Sequence, residues 1–189
     1  MSAERYTLAV LVGSTREGRF APVITDWFTR HVAASHPHLS LDVIDLDTVR
    51  PYELRPGSEE FLAYAKRVEQ ADAFVVITPE YNHSFPAPLK HALDLLRAEW
   101  QAKPVGFVSY GGISGGLRAV EQLRLVFAEL HATTIRETVS FALPAGPFDG
   151  EGRLHDPEPP ARAADALLQQ LTWWAVTLRD ARRDRPYGG

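Results

Sequence analysis

The apolar positions of this chain fall into two kinds of run that alternate along its length. Five are short and nearly continuous: Leu8 to Val12, Leu41 to Leu46, Ala73 to Thr78, Val105 to Ser109 and Thr134 to Ala142. Strands buried on both faces look like this, because a parallel sheet is covered by helices above and below. The last run is longer and more polar, as expected of an edge strand. Between the runs the apolar residues take helical spacing. Phe20, Val23, Ile24, Trp27 and Phe28 make one broad stripe. Ser58 stands as an N-cap before Glu59 and Glu60, and Phe61, Tyr64, Ala65 and Val68 follow on one face. Leu89, Ala92, Leu93 and Leu96 predict a third helix starting just after Pro88. Leu117, Val120, Leu123, Phe127 and Leu130 predict a fourth. Leu167, Leu168, Leu171, Trp174 and Leu178 predict a last one, opened by Pro159-Pro160.

Strand and helix thus alternate five times, which predicts an α/β fold: a doubly wound parallel sheet with helices on both faces. A chain of 189 residues suits a single domain, here expected over residues 1–183, with 184–189 as a disordered tail. The Gly-, Pro- and Asp-rich stretch from Pro144 to Pro160 reads as a surface excursion. The mixed charges from Arg179 onward read as a solvated, fraying end.

Composition narrows the chemistry. The chain has 20 basic against 24 acidic residues, which gives no electrostatic case for nucleic acid or an anionic membrane surface. It has no cysteine, so disulfides, thiolate nucleophiles and cysteine-ligated metal centres are excluded. The histidines show no metal-ligand spacing, and no metal site is expected. No stretch nears the roughly 20 apolar residues that span a bilayer, and the first residues lack a signal-peptide core. A cytoplasmic location is the expectation.

In an open α/β sheet, ligands bind outside the carboxyl ends of the strands, where the strand order reverses. Three loops belong there. Gly13-Ser14-Thr15-Arg16-Glu17-Gly18-Arg19-Phe20 follows the first strand and leads into a helix, offering hydroxyls, amides and a cation to an anion. Taken alone it reads equally well as an ordinary turn in which Ser14 or Thr15 merely caps the helix. It matches neither the Gly-x-Gly-x-x-Gly dinucleotide pattern nor a P-loop. Thr78 to Pro88 follows the third strand with two aromatics, three prolines, Glu80, Asn82 and His83. It offers a wall for a flat ring, or else a rigid connector packed on the core. Ser109-Tyr110-Gly111-Gly112-Ile113-Ser114-Gly115-Gly116 lets backbone approach a ligand, or lets the next helix pack tightly. Together, one loop suits a phosphate and two flank a planar ring, the shape of a flavin mononucleotide (FMN) site.

Three motifs then resemble those of the NADPH-dependent FMN reductases: Gly13 to Gly18 (GSTREG), Thr78 to Asn82 (TPEYN) and Gly115 to Arg118 (GGLR). Phe148 to Leu154 is similar to the family's final loop. The resemblance implies a flavodoxin-like five-stranded sheet of order 2-1-3-4-5. It implies FMN as cofactor and NADPH or NADH as co-substrate, with a small acceptor such as a flavin or quinone reduced in a ping-pong cycle. By position, Ser14 and Arg16 would hold the phosphate in a turn that includes Gly18, Arg19 and Phe20. Pro79, Glu80, Tyr81 and Asn82 would meet the ring, chiefly through main chain. Ser109, Tyr110, Gly111 and Gly112 would line its other side. Where the family has a serine and, two residues on, an asparagine, this chain has Arg19 and Ala21. That substitution leaves Arg19 for the FMN phosphate, for the 2′-phosphate of NADPH or for solvent, and Arg118 hints at NADPH in the same way. No catalytic side chain is expected, and His83 reads as an ordinary loop histidine. The family implies a homodimer or a tetramer, with Trp100 and the third helix as interface or as simple sheet packing. Two other readings remain open: a flavodoxin-like electron carrier, and a regulatory module that has lost its flavin.

Overall fold

A computed structural model describes residues 5–188. Its five strands, β1 (Thr7–Val12), β2 (Ser40–Asp45), β3 (Ala73–Pro79), β4 (Pro104–Gly111) and β5 (Thr133–Ala142), form one parallel sheet in the order β2-β1-β3-β4-β5. This is the flavodoxin-like order expected from the resemblance. The apolar runs set it: every residue of β3 and β4 is buried, because strands in the middle of the sheet are covered on both faces. β5 lies at an edge and alternates buried with exposed positions, as its polarity foretold.

Two cores result. On one face Leu8, Val10, Val12, Val75, Ile77 and Val108 pack under α1 (Ala21–Ser35) and the 27-residue α6 (Glu158–Asp184). On the other, Ala9, Leu11, Phe74, Val76, Val105 and Phe107 pack under α3 (Glu59–Gln70), α4 (Ala87–Asp94) and α5 (Leu117–Glu129). The α3 cap is as expected, with the Ser58 hydroxyl accepting from the Phe61 amide at 3.2 Å. A four-residue helix α2 (Leu46–Val49) and a short 3-10 turn at Pro51–Glu53 lie beyond β2, where no apolar periodicity marks them.

Of the two readings open for Trp100, packing within the fold holds, and the expectation for the charged end of the chain needs correction. Trp100 is fully buried: its ring packs on Phe74 and Phe127, and its indole N–H donates to the Leu93 carbonyl at 3.2 Å. An indole so enclosed belongs to the core and to no interface. The charge run from Arg179 continues α6 to Asp184. Arg179 donates to the Arg5 carbonyl, and Arg182 to the Ala102 carbonyl, each at 2.5 Å. Those cations hold main-chain carbonyls, so this part of the chain is helical and tied to the starts of β1 and β4. Beyond the helix, the Tyr187 hydroxyl lies 2.9 Å from His131 Nδ1.

Candidate functional site

The loops after β1, β3 and β4 meet at the carboxyl edge of the sheet, beside the point where strand order reverses between β1 and β3. The first turn is tied to β3 by the Gly13 amide, which donates to the Ile77 carbonyl at 2.9 Å. Ser14 is fully buried, and its hydroxyl lies 2.9 Å from the Tyr81 hydroxyl, so the β3 loop reaches across to the β1 turn. Arg16 and Gly18 are exposed, and among the described residues Arg16 is in none of the ion pairs. The N-cap of α1 is Phe20, and no side chain caps the helix. Neither Ser14 nor Thr15 serves that purpose. The Phe20 ring sits edge-on to Phe148 at 5.4 Å and tilted against Tyr110 at 6.3 Å, anchoring the turn to the core.

Arg19 is committed elsewhere. Its guanidinium grips Asp45 at the end of β2 through two hydrogen bonds of 2.6 and 2.7 Å, donates to the Ser14 carbonyl at 2.6 Å and lies 3.3 Å from Asp47. Only 12% of the side chain is exposed. The two carboxylates were overlooked in the sequence, although β2 borders β1 in this sheet order and an acid ending β2 must face the β1 turn.

The β3 loop turns back on itself at Tyr81–Ser84, where each backbone amide donates to the other residue's carbonyl, at 2.8 and 3.0 Å. Asn82 (φ 49°) and His83 (φ 71°) both occupy the left-handed region, the requirement of a type I′ turn. Gln122 of α5 pins the turn: its amide nitrogen donates to the His83 carbonyl at 2.8 Å, and its oxygen accepts from the Ser84 hydroxyl at 2.6 Å. The Asn82 and His83 side chains are exposed.

Glu80 fastens the β3 loop to the β4 loop. Its carboxylate accepts from the Ser114 hydroxyl (2.7 Å), the Arg118 amide (3.0 Å) and the Arg118 guanidinium (3.0 Å), with 7% of its side chain exposed. Burial alone would raise its pKa, but these donors outweigh it and hold the carboxyl below the usual range. Arg118 is thereby paired as well.

The β4 loop is mostly internal. Ser109 is buried and donates to the Gly115 carbonyl at 2.9 Å. Gly115 (φ 62°) and Gly116 (φ 89°) are needed where they stand: a Cβ would lie 2.3 Å from Ser140 Oγ at the first and 2.7 Å from Ser109 Cβ at the second. They let α5 start tight against β4 and β5. Gly111 is enclosed between Gly116 and Glu80, which leaves Gly112 and the 89%-exposed Ile113 facing outward. Tyr110 is buried, with 4% exposure. Its hydroxyl has no hydrogen-bond partner among the described residues. The loop from Phe148 to Leu154 closes on itself, with the Asp149 carboxylate accepting from the Glu151 and Arg153 amides at 2.9 Å.

Comparison with known proteins agrees with this geometry. The model of the family described as NADPH-dependent FMN reductase matches residues 6–145. The chain belongs to that family. The matched NADPH-dependent FMN reductase segment contains all three loops and ends just before the Phe148 loop. The chain is 36% identical to an NAD(P)H-dependent FMN reductase of Schizosaccharomyces pombe over 121 residues, 58% of this chain and 60% of that protein. It is 38% identical to an NADPH:quinone oxidoreductase of Arabidopsis thaliana over 123 residues, 62% of this chain and 61% of that protein. It therefore spans about three fifths of the length of these two relatives. In fold it is similar to FerB, a flavoenzyme NAD(P)H:(acceptor) oxidoreductase from Paracoccus denitrificans, with a TM-score of 0.71 at 20% identity over 91% of this chain and 98% of that one.

Proposed function

We propose that this protein is an NAD(P)H-dependent oxidoreductase that holds FMN at the carboxyl edge of the sheet and reduces a small acceptor such as a flavin or quinone. The observation that carries this is the meeting of the three loops around an uncapped helix N-terminus, with Arg16 exposed beside it and in no ion pair among the described residues. The donor set fits a phosphate: the Ala21 amide at the start of α1 (Pro22 has none, and the Val23 amide donates to the Phe20 carbonyl), one available guanidinium, the hydroxyls of buried Ser14 and half-buried Tyr81, and the Tyr110 hydroxyl, which has no hydrogen-bond partner among the described residues. The exposed backbone of Gly112, where a Cβ would meet nothing within 4 Å, leaves the ring side open.

Bound FMN supplies the hydride-accepting and electron-donating chemistry that the side chains of this chain lack. The protein's own part is to bind and orient. Ser14 and Arg16 hold the phosphate end, and Pro79 to Asn82 with Gly111 and Gly112 present main chain to the ring. Glu80 takes no proton in this scheme, because three donors fix it as a carboxylate that joins two loops. The co-substrate is NADPH or NADH, and it shares one open face with the acceptor in alternation, a ping-pong cycle. With Arg19 and Arg118 both paired, neither supplies an available cation for a 2′-phosphate in this arrangement. A homodimer or tetramer belongs to the same proposal: Ile113 and Leu117, exposed at the mouth of the site, are apolar surface that a second copy would cover. No helix among the described residues is long and apolar enough to cross a membrane.

The test is a visible spectrum after FMN is added, followed by anaerobic bleaching with NADPH and with NADH. Flavin bands that bleach and then recover on adding a quinone are the expected outcome. No bands would overturn the proposal, and bands that neither nucleotide bleaches would leave an electron carrier.

A further inference from the structure

The resemblance would put a second hydroxyl in the β1 turn where this chain has Arg19, and that guanidinium is occupied. Arg19 spends both terminal nitrogens on Asp45 and the Ser14 carbonyl. Something else must complete the polar lining, because a buried hydroxyl with no partner is costly, about 1–3 kcal/mol. Tyr110 supplies such a hydroxyl.

We propose that Tyr110 is a ligand of the anion held at the β1–α1 turn, its buried hydroxyl replacing the absent serine, while Arg19 acts only as a brace that positions the turn. Register places Tyr110 at the end of β4 opposite Pro79, two strands over from β1 with β3 between them. Its ring lies 6.3 Å from that of Phe20, the residue at the N-cap of α1. Among the described residues its hydroxyl makes no well-formed hydrogen bond, the Ser14 side chain being close by, on a residue 96% removed from solvent. Burial is the main cause that raises its pKa; the polar groups it also senses are Tyr81, Ser14, Arg19 and Asp45. Ser14 belongs to the β1 turn, Tyr81 to the β3 loop that reaches it, and Arg19 and Asp45 to the brace. A phenol held neutral in this way donates one hydrogen bond, and a phosphate oxygen is a stronger acceptor for it than the neighbouring Ser14 hydroxyl.

This inference deepens the proposed function and rests on it for the identity of the anion's owner. The test uses the full chain and the conservative variant Tyr110→Phe, which keeps the ring in place. Affinities for FMN and riboflavin are measured by flavin fluorescence, and inorganic phosphate is assayed by its effect on the melting temperature. The expected result is a loss of roughly tenfold or more for FMN, as for one hydrogen bond to a charged group, with riboflavin affinity unchanged. Equal affinity of the variant and the parent for FMN overturns the proposal, as does an equal loss for FMN and riboflavin. If the parent protein ignores FMN but is stabilised by phosphate, and Tyr110→Phe abolishes that response, the flavin reading fails and the anion ligand stands. No response of the parent to either probe overturns both.

Discussion

At the scale of single residues, this molecule uses charge mostly to join segments of itself. Lys103, at the entry to β4, is 5% exposed and directs its ammonium at the carbonyls of Val68 and Glu69, at 2.8 and 2.6 Å, in the last turn of α3. It completes that helix end as a C-terminal cation should. Burial, and next the positive charge of Arg182, pull its pKa down to about 8 from 10.5. An unfolded lysine keeps its proton up to about 10.4. Between those values the unfolded chain binds more protons than the folded one, so stability rises with pH there. The Lys103 contribution is complete above the unfolded value and is lost as pH falls through about 8. Urea unfolding of the parent and of Lys103→Met at pH 7.5 and 9.5 should show the parent gaining on the variant, by at most about 1.4 kcal/mol per pH unit. A gap that ignores pH would mean that the two carbonyls hold the proton against burial. Glu80 gives a second case. Glu80→Gln keeps the shape but loses the charge facing Arg118, and should cost about 1–3 kcal/mol with faster amide hydrogen exchange across Gly112 to Gly116.

At the scale of elements, the turn that presents Asn82 and His83 carries strain that can be measured. A type I′ turn wants glycine or asparagine at its two central positions, and His83 at φ 71° is neither. Its ring is exposed and makes no hydrogen bond among the described residues; only its carbonyl is used, by Gln122. His83→Gly should therefore raise stability by about 0.5–1 kcal/mol, seen as a melting temperature some 1–4 °C higher, with turnover unchanged. Lower turnover at equal flavin content would instead give the imidazole a chemical role. How far such elements could be read from the chain follows the same physics. The strands were legible within two residues at each end because a run such as Ala73 to Ile77 leaves no polar position for a solvent face. Helix α3 was legible through Ser58, and α6 through Pro159-Pro160. Helix α2 was not, since four residues carry no period. The pairing of Arg19 with Asp45 and the inward turn of Tyr110 were missed because each depends on which strand ends are neighbours in space. A motif shows that an arginine or a tyrosine stands in a loop, and only packing decides what it meets.

At the scale of the whole molecule, the two ends of the sheet are held by different means, and this separates stability from function. At the carboxyl end, Arg19 with Asp45, Ser14 with Tyr81, and Glu80 with Arg118 join the loops of the candidate site. At the amino end one element does the joining. Helix α6 runs the length of its face, about 40 Å at 1.5 Å per residue. Its last turns and the residues beyond reach the points where four strands begin. Arg179 holds the Arg5 carbonyl before β1, and Arg182 holds the Ala102 carbonyl before β4 and lies 3.6 Å from Asp72 before β3. Tyr187 meets His131 before β5. The Asp72 carboxylate also accepts from the Thr7 amide at 3.0 Å, so these contacts form one connected girdle. The side chains of Arg182 and Asp72 are both 20% exposed, which shields their pairing from water more than at a surface pair. Arg182→Ala should therefore cost about 1–2 kcal/mol and lower the melting temperature by some 2–8 °C. Flavin affinity should not change, because the loops of the site lie at the other end of every strand. Tyr110→Phe should behave in the opposite sense, weakening FMN while leaving the flavin-free protein at least as stable, since it removes a buried hydroxyl with no partner among the described residues. Measuring both variants by both assays decides the matter: if Arg182→Ala also weakens FMN, the two ends are coupled through the sheet and the girdle positions the site as well as holding the fold.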